Sequence, residues 1–328
     1  MATAKQKLDI LSVGDATLDI FVKITEASVM CSVDKETCLL CLSYADKIPI
    51  DSLDQSIAGN AANNAVGSAR LGLKAGFYSV IGDDETGKKI IETMRTEGVS
   101  LKYLEVDKGK PSNYSVVLNY KEERTILVHH YPRTYSLPRL QRATHWIYYT
   151  SIGKNHQRLD RQLVNFIKKN GTRLGFNPGT HQLARGVEAL QPVLGVTDVL
   201  FLNKEESERL VGRLGAMKNL LAALHALGPK TVVVTDGGRG SYAFDGKFFY
   251  QMSIFPVKVV EKTGAGDAFA TGFLAATVYG LPITDALRWG AANSAGVVTK
   301  IGPQAGLLTR PRLESMLRTH SRIRARVI

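Results

Sequence analysis

Short apolar segments alternate with helical segments over residues 145–235, and this alternation limits the possible folds more than any other feature of the chain. The apolar segments lie at 145–149, 173–176, 198–201 and 230–235. Helical periodicity marks the segments at 156–170, 181–191, 203–211 and 216–227. Strands joined by helices form right-handed crossovers, which make the strands parallel and place helices on both faces of the sheet. The pattern predicts an α/β domain with a mostly parallel central sheet.

Further elements flank this core on both sides. Apolar runs predict strands at 8–13, 17–24 and 75–81. Periodicity predicts helices at 58–71, 88–97, 265–279, 283–299 and 310–319. Two β-rich excursions interrupt the pattern, at about 17–50 and at 112–130, where Tyr114–Asn119 and Thr125–His130 predict a hairpin. Because no linker or repeat divides the chain, we predict one domain over 1–328 with a small β-sheet inserted from two places.

The charge of the chain is unevenly distributed. Lys and Arg number 42 against 30 Asp and Glu, a net charge of +12. Residues 310–328 hold six Arg and one Glu, which gives +5 and leaves +7 for the other 309 residues. Since no basic cluster with interleaved aromatic residues occurs elsewhere, we expect a solvated basic tail and no nucleic-acid partner. A mild positive field suits anionic small substrates.

The sequence also bears on membranes and on the cellular compartment. No apolar run reaches the 18 residues of a membrane span, and the polar Met1–Asp9 segment is unlike a signal peptide. Cys31, Cys38 and Cys41 are an odd number in a long chain, which argues against a disulfide scaffold and favours a reducing compartment. We therefore expect a cytoplasmic protein with no membrane partner. We expect small buried cysteines, since a zinc site lacks a fourth ligand.

The stretch Glu261–Asp267 is the strongest candidate for chemistry. Gly264-Ala265-Gly266 precedes an apolar helix, and Asp267 lies in its first turn. The first turn of a helix has backbone N–H groups without intrahelical partners, which favour an anion. Asp267 beside them can accept a proton from a hydroxyl, as phosphoryl transfer requires. The alternative is a tight turn followed by an ordinary helix-start aspartate.

The chain contains four motifs whose order along the sequence resembles that of the ribokinase (PfkB-type) family of carbohydrate and nucleoside kinases. The first comprises Ala58, Gly59, Ala61, Asn63, Ala65, Gly72 and Gly82, and the last comprises Gly264-Ala265-Gly266-Asp267 with Gly272-Phe273-Leu274. Between them, Asn203-Lys204-Glu205-Glu206 fits the Asn-x-x-Glu of the family. Thr235-Asp236-Gly237-Gly238-Arg239-Gly240 fits its Thr-x-Gly-x-x-Gly. The resemblance extends over about residues 10–305.

The resemblance implies a three-layer α/β/α core with a β-sheet lid, and ATP-dependent phosphorylation of a sugar-like hydroxyl. It implies that Asp267 is the base and that the N–H groups of Gly264, Ala265 and Gly266 form an anion hole. The implied substrate ligands are Asp19, Gly59, Asn60 and Asn63. The implied nucleotide ligands are Asn203, Glu206, Thr235, Gly237, Gly240 and, in the adenine pocket, Asn293. Asn203 and Glu206 would act on Mg²⁺ through water, or would instead cap a helix.

The chain departs from the family pattern before the glycine turn. Glu261-Lys262 replaces the usual Asp-Thr, whose Asp holds an activating K⁺ in many members. Glu261 can still reach such a cation, or the ammonium of Lys262 can take its place. Our hypothesis is that activity depends weakly or not at all on K⁺, while a Lys262 that points to solvent is an equal alternative.

Several readings of function remain open. We predict a kinase for a sugar, sugar acid or nucleoside, with a homodimer through the lid edges as a possible assembly. The alternatives are a non-catalytic regulator on the same fold and a dehydrogenase, which would need a Gly-x-Gly-x-x-Gly absent after the first strand. The segment His129–Arg133 can offer positive charge to a substrate carboxylate or phosphate, or can be an ordinary loop.

Overall fold

The computed structural model describes residues 8–32, 38–121, 123–140 and 144–328. Part of the polar N-terminus considered above, residues 1–7, lies outside this range. The strands are β1 (Ile10–Val13), β2 (Thr17–Lys23), β3 (Ser28–Cys31), β4 (Cys38–Cys41), β5 (Ser52–Ala58), β6 (Ala75–Tyr78), β7 (Val80–Gly82), β8 (Glu105–Asp107), β9 (Asn113–Tyr120), β10 (Glu123–His129), β11 (Trp146–Tyr149), β12 (Arg173–Phe176), β13 (Val199–Asn203), β14 (Thr231–Thr235), β15 (Ser241–Phe244), β16 (Phe249–Met252) and β17 (Arg326–Val327). The helices are α1 (Asn60–Arg70), α2 (Glu85–Thr96), α3 (Gln157–Asn170), α4 (Thr180–Leu183), α5 (Gly186–Leu194), α6 (Lys204–Val211), α7 (Met217–Ala226), α8 (Ala265–Val278), α9 (Ile283–Val297) and α10 (Arg310–Thr319).

A nine-stranded sheet in the order β17-β16-β15-β14-β13-β12-β11-β1-β6 forms the core. The six strands from β14 to β6 are parallel, and β15, β16 and β17 pair antiparallel at one edge. Residues on one face, such as Tyr148 and Phe201, pack with α8 and α9. Residues on the other face, such as Ile147 and Leu200, pack with α3, α5 and α7. The expected three-layer arrangement with a mostly parallel sheet is confirmed.

A second sheet of four strands, which we call the cover sheet, has the order β10-β9-β2-β5. Strands β2 and β9 are parallel, while β5 and β10 pair antiparallel at the two edges. Its strands come from the two β-rich excursions of the sequence and also from Ser52–Ala58, beyond the first excursion as we had bounded it. The polar alternation in Ser52-Leu53-Asp54-Gln55 gives β5 little apolar signal, which is why the sequence pattern did not reveal it.

The cysteine expectation is wrong in two respects. Strands β3 and β4 pair antiparallel with Cys31 opposite Cys38, and a disulfide joins these two residues. Both are exposed, and only Cys41 is partly buried, as a free thiol. Spacing alone could not place Cys31 and Cys38 opposite each other, because the register of a hairpin depends on its turn.

Most predicted helices are confirmed within a few residues, with one division. The helix expected at 181–191 is two helices, α4 and α5, which Gly186 separates with a φ of 76°. Within the described part of the chain, no helix is long and apolar enough to cross a membrane.

Candidate active site

A cavity of about 880 Å³ lies where the carboxyl ends of the core strands meet the cover sheet. Ser151, Asn177, Asn203 and Thr235, at or just after the ends of β11 to β14, line its floor. Asp19, Ser115 and Arg124 of the cover sheet line it from above. Ligands of open parallel sheets bind at the carboxyl ends of the strands, because the loops that follow can carry variable side chains there. The cavity is therefore the candidate active site.

The glycine turn begins α8 at the wall of this cavity. Gly264 has a φ of 79°, and a Cβ there would lie 2.4 Å from the Cβ of Pro303. A Cβ on Gly266 would meet nothing within 4 Å. Gly264 is thus required by the backbone and the packing, whereas Gly266 borders open space. The absence of a side chain at Gly266 leaves the helix N-terminus accessible from the cavity.

Free backbone donors converge on this helix end. Among the described residues, no acceptor bonds the N–H groups of Gly264, Gly266 and Asp267. The N–H of Ala265 instead donates to the carbonyl of Lys262 at 3.3 Å, so Ala265 is the weakest of the predicted anion-hole donors. The free N–H groups and the positive end of the helix dipole favour a negatively charged group.

Asp267 is buried beside these donors and is held by a side chain from α1. The Nδ2 of Asn63 donates to the Oδ2 of Asp267 at 2.8 Å. The Oδ1 of Asn63 in turn accepts from the Nε2 of Gln304 at 3.1 Å. This chain fixes the carboxylate against α1 and orients the amide of Asn63, so Asn63 acts on Asp267 even before any substrate is considered.

Burial raises the pKa of Asp267 to about 7. The hydrogen bond from Asn63 lowers it, while the charges of Glu206 and Asp19 raise it. A carboxyl group with a pKa near neutrality accepts a proton better than an ordinary aspartate and is still partly ionised at pH 7. The geometry and the pKa of Asp267 both suit a general base.

The other predicted substrate ligands also reach the cavity. Asp19 is buried on β2, where burial raises its pKa and the hydrogen bonds from Thr17 and Ser115 lower it. Gly59 and Asn60 line the cavity at the start of α1. Gly59 has a φ of 98°, and a Cβ there would lie 2.5 Å from the carbonyl oxygen of Asp15.

Asn203 and Glu206 form a reciprocal capping box at the start of α6. The Oδ1 of Asn203 accepts from the N–H of Glu206 at 2.8 Å, and the Oε2 of Glu206 accepts from the N–H of Asn203 at 2.9 Å. Both line the cavity, and burial raises the pKa of Glu206. The helix-capping alternative is therefore present in the structure, and it leaves the Nδ2 of Asn203 and the Oε1 of Glu206 available.

Of the predicted nucleotide ligands, Thr235 lines the cavity. Gly237, Gly240 and Asn293 do not. Gly237 and Gly240 flank the short turn before β15, and a Cβ on Gly240 would lie 2.1 Å from the carbonyl oxygen of Met252. Asn293 is fully buried, donates to the carbonyl of Ala268 at 2.8 Å and accepts from the N–H of Leu308 at 3.0 Å. Packing explains Gly240 and Asn293 without a ligand.

The family model of the pfkB carbohydrate kinases matches residues 21–310. The chain belongs to this family. It is 25% identical over 325 residues to the ATP-dependent 6-phosphofructokinase of Thermoanaerobacterium thermosaccharolyticum, a match that covers 95% of this chain and 94% of that protein. It is 28% identical over 288 residues to the 5-dehydro-2-deoxygluconokinase of Bacillus subtilis, covering 81% of this chain and 87% of that protein.

Solved structures with a similar fold are kinases as well. Arabidopsis thaliana ribokinase complexed with ribose and ATP superposes with a TM-score of 0.76 at 24% identity, over 95% of this chain and 99% of that one. The fold is ribokinase-like, and the protein is a sugar or nucleoside kinase that uses an alcohol group as acceptor.

Glu261 and Lys262, which replace the usual Asp-Thr of the family, contact different parts of this kinase. The Oε1 of Glu261 accepts from the N–H and the Oγ1 of Thr263, at 2.7 and 2.6 Å. Its Oε2 is buried and has no hydrogen-bond partner in the described part of the chain. The ammonium of Lys262 contacts the Oε1 of Glu123 on β10 at 2.6 Å. Lys262 thus ties the segment before the glycine turn to the cover sheet.

The motifs of the kinase family did not reveal several side chains that lie in the cavity or contact its lining residues. Gln304 orients Asn63 from a loop with no motif of its own. The Nε of Arg124, on β10, is buried without a hydrogen-bond partner among the described residues. His130 contacts Asp15 and His181. All five residues of the His129–Arg133 segment line the cavity, and the buried guanidinium of Arg133 also pairs with Asp107.

Proposed function

We propose that this kinase transfers the γ-phosphoryl group of ATP to a hydroxyl of a sugar, sugar acid or nucleoside, with Asp267 as the general base. The observation that carries the proposal is the placement of Asp267, buried and with a pKa of about 7, in the same helix turn as the free N–H groups of Gly264 and Gly266. One group removes the proton of the acceptor, and the others stabilise the negative charge that the transferred group carries.

Asp267 accepts the proton from the acceptor hydroxyl as the hydroxyl oxygen attacks. Asn63 holds the carboxylate in position and stabilises its charged form. Asp19, Gly59 and Asn60 hold the other hydroxyls, a task that suits short polar groups at strand and helix ends. The cover sheet excludes water from the cavity, which limits the loss of the phosphoryl group to hydrolysis.

The residues of the cavity fit ATP with Mg²⁺. The helix end with its free N–H groups forms an anion cradle, and Asn203 and Thr235 border the same space. No group of three or more His, Cys, Asp or Glu side chains in the described residues forms a metal cage. Mg²⁺ keeps much of its water and binds phosphates with one or two carboxylates, so Glu206 suffices as its protein partner. Bound Mg²⁺ neutralises charge on the phosphates.

A monovalent cation also fits. The buried, unpartnered Oε2 of Glu261 is an anionic oxygen beside the glycine turn, which is what a K⁺ ligand requires. The contact of Lys262 with Glu123 weakens our reason for expecting independence from K⁺, because the ammonium is already paired. We propose that Glu261 holds the cation. Activity in Tris buffer with and without added K⁺ tests this, and an unchanged rate contradicts it.

A homodimer through the cover sheet is part of the proposal. Edge strand β10 exposes Leu127, which does not line the cavity, and the β3–β4 hairpin exposes Met30 and Leu39. Exposed apolar edges pair readily with another chain, and a second copy presents the matching surface. Analytical ultracentrifugation of wild type and Leu127→Asp tests it, and a wild type that is monomeric at micromolar concentration contradicts it.

The function itself is tested with ATP, Mg²⁺ and a panel of sugars, sugar acids, sugar phosphates and nucleosides. We expect at least one acceptor to turn over, and Asp267→Asn to lower kcat by at least about a hundredfold. The Asn variant preserves the shape of the side chain and its bond with Asn63. An unchanged rate in the variant contradicts the role of Asp267, and a protein that binds ATP but never consumes it favours the regulator alternative.

A further inference from the structure

At one end of the cavity lie histidine and lysine side chains that the proposed phosphoryl transfer does not use. Every second residue of β10 faces the cavity, namely Arg124, Ile126 and Val128. His130, just beyond the strand, lines the cavity in the same spacing. Val128 lies opposite Ser115, which lies opposite Asp19. A strand rises about 3.3 Å per residue, so His130 lies about 7 Å beyond Val128 in the direction of β10.

His130 contacts a carboxylate and a second imidazole. Its Nε2 is 3.1 Å from the Oδ2 of Asp15, and its Nδ1 is 3.2 Å from the Nε2 of His181. Burial lowers the pKa of His130, but the hydrogen bond and charge of Asp15 outweigh it, so the pKa is raised. The pKa of His181 is lowered by burial and by the charges of His130, Lys154 and His156. The charge of Asp15 raises it but does not outweigh the other causes.

The Nδ1 of His181 has no hydrogen-bond partner in the described part of the chain, while its Nε2 contacts the Nδ1 of His130. The raised pKa of His130 favours its doubly protonated form, in which its Nδ1 donates to the Nε2 of His181. With His130 in that form, His181 carries its own proton on Nδ1. His181 then presents an N–H donor at the wall of the cavity.

Lys154 provides a positive charge at the same wall. Its side chain is exposed, lines the cavity and has no ion-pair partner among the described residues. His181 lines the same cavity, and the charge of Lys154 lowers its pKa. Asp15, the acid whose charge acts on His181, contacts His130 instead. An N–H donor and an unpaired ammonium together favour an acceptor substrate that carries negative charge.

We propose that the acceptor carries an acidic group, a carboxylate or a phosphate, at the end remote from the phosphorylated hydroxyl, and that His181 and Lys154 bind this group. The inference rests on the proposed function, because it assigns the far end of the same cavity. It narrows the substrates to sugar acids and sugar phosphates, and it disfavours neutral sugars and nucleosides.

Two pairs of compounds test the proposal and separate the two acids. D-gluconate is compared with D-glucitol, and D-fructose 6-phosphate with D-fructose, with adenosine as a nucleoside. Each acid has a primary hydroxyl at the end opposite its charge. We expect kcat/KM for one of the acids to exceed that for its neutral partner by at least tenfold. Equal values within both pairs, or faster turnover of adenosine, overturn the inference and leave the proposed function intact.

Variants identify the residues that bind the acid. Lys154→Gln and His181→Phe are each expected to lower the ratio of acid to neutral kcat/KM at least fivefold, mainly through KM. Lys89→Gln removes an exposed lysine of α2 that does not line the cavity, and we expect the ratio of wild type. A ratio unchanged in both cavity variants contradicts the assignment.

Calorimetric titration of each compound gives a readout that does not depend on turnover. We expect the acids to bind at least tenfold more tightly than their neutral partners, and Lys154→Gln to remove the difference. Tighter binding of an acid without turnover of any compound supports acid binding by His181 and Lys154 and counts against the proposed function. Equal binding within both pairs contradicts the inference.

Discussion

The two walls of the cavity differ in how firmly their side chains are held. On the core side, Asp267, Asn63 and Gln304 form a continuous buried chain of hydrogen bonds, and Gly264 packs against Pro303. On the cover-sheet side, Ile126 and Val128 remain exposed, and Arg124 has a buried nitrogen without a partner in the described residues. The side chains that position Asp267 are therefore held without a ligand, whereas the side chains of the cover sheet still have contacts to make.

This contrast follows from what each wall does. A base and an anion hole must be in place before the reaction, because reorganising them during the reaction would cost rate. A cover that closes over a substrate has to open again, and segments that move are those with few buried contacts. Substitutions on the core side should therefore have large effects on activity and folding, and those on the cover side smaller ones.

The largest effect is expected for Gly264→Ala. The substitution forces a side chain into a left-handed conformation and into Pro303, which should destabilise the fold by at least about 2–3 kcal/mol and abolish activity. Gly266→Ala is the matched control, since its Cβ meets nothing within 4 Å. It should keep the stability of wild type and lose activity only. Denaturant unfolding and ATP turnover measure both, and equal losses of stability contradict the distinction.

The next effect is on stability and depends on pH. The folded pKa of Asp267, about 7, lies above its ordinary value of 3.8, so the folded state binds this proton more tightly than the unfolded state. The stabilisation is fully present below pH 3.8 and is lost as the pH rises through 7. Asp267→Asn does not titrate, so at pH 8 it should be more stable than wild type by about 2–4 kcal/mol. At pH 4 the two should unfold alike, and a difference independent of pH contradicts the burial of a charge.

The core side was largely predictable from sequence because its requirements are local. A glycine with positive φ, a helix start and an aspartate in its first turn lie within a few consecutive residues, so Gly264, Gly266 and Asp267 could be located together. The alternation of strands and helices gave the parallel sheet in the same way. What joins them, such as the bond from Asn63 to Asp267 across 204 positions, leaves no local signal.

The cover side was predicted less well, since its structure depends on long-range pairing. The polar strand β5 and the pairing of Cys31 with Cys38 depend on register, which single segments do not encode. On the core side, the Asn293 prediction relied on motif position, and the structure accounts for that amide by its hydrogen bonds to Ala268 and Leu308. The His130–His181 contact joins a strand end to a helix and could not be seen from either segment alone.

A smaller effect on the core side is a shift of the pH profile. Asn63 donates to Asp267 and so lowers its pKa, and Asn63→Ala removes that contribution. The ascending limb of kcat/KM, expected near pH 7 in wild type, should move to higher pH in the variant. Asn64→Ala is the control, because Asn64 is equally buried in α1 but bonds Ser12 and Thr271. It should lose stability and keep the limb in place, and a limb that moves equally in both variants contradicts the role of Asn63.

The smallest effect is expected where the two walls are tied together. Lys262 and Glu123 are both largely exposed, so their ion pair should contribute under about 1 kcal/mol to the stability of the fold. Lys262→Gln and Glu123→Gln should each raise the KM of the acceptor slightly, and the double variant no further, since either change breaks the same contact. The response to K⁺ should stay that of wild type, because the ammonium pairs with Glu123. A Lys262→Gln enzyme that gains K⁺ dependence, while Glu123→Gln does not, would mean that the ammonium occupies the place of the cation, and the tie between the walls would then be incidental.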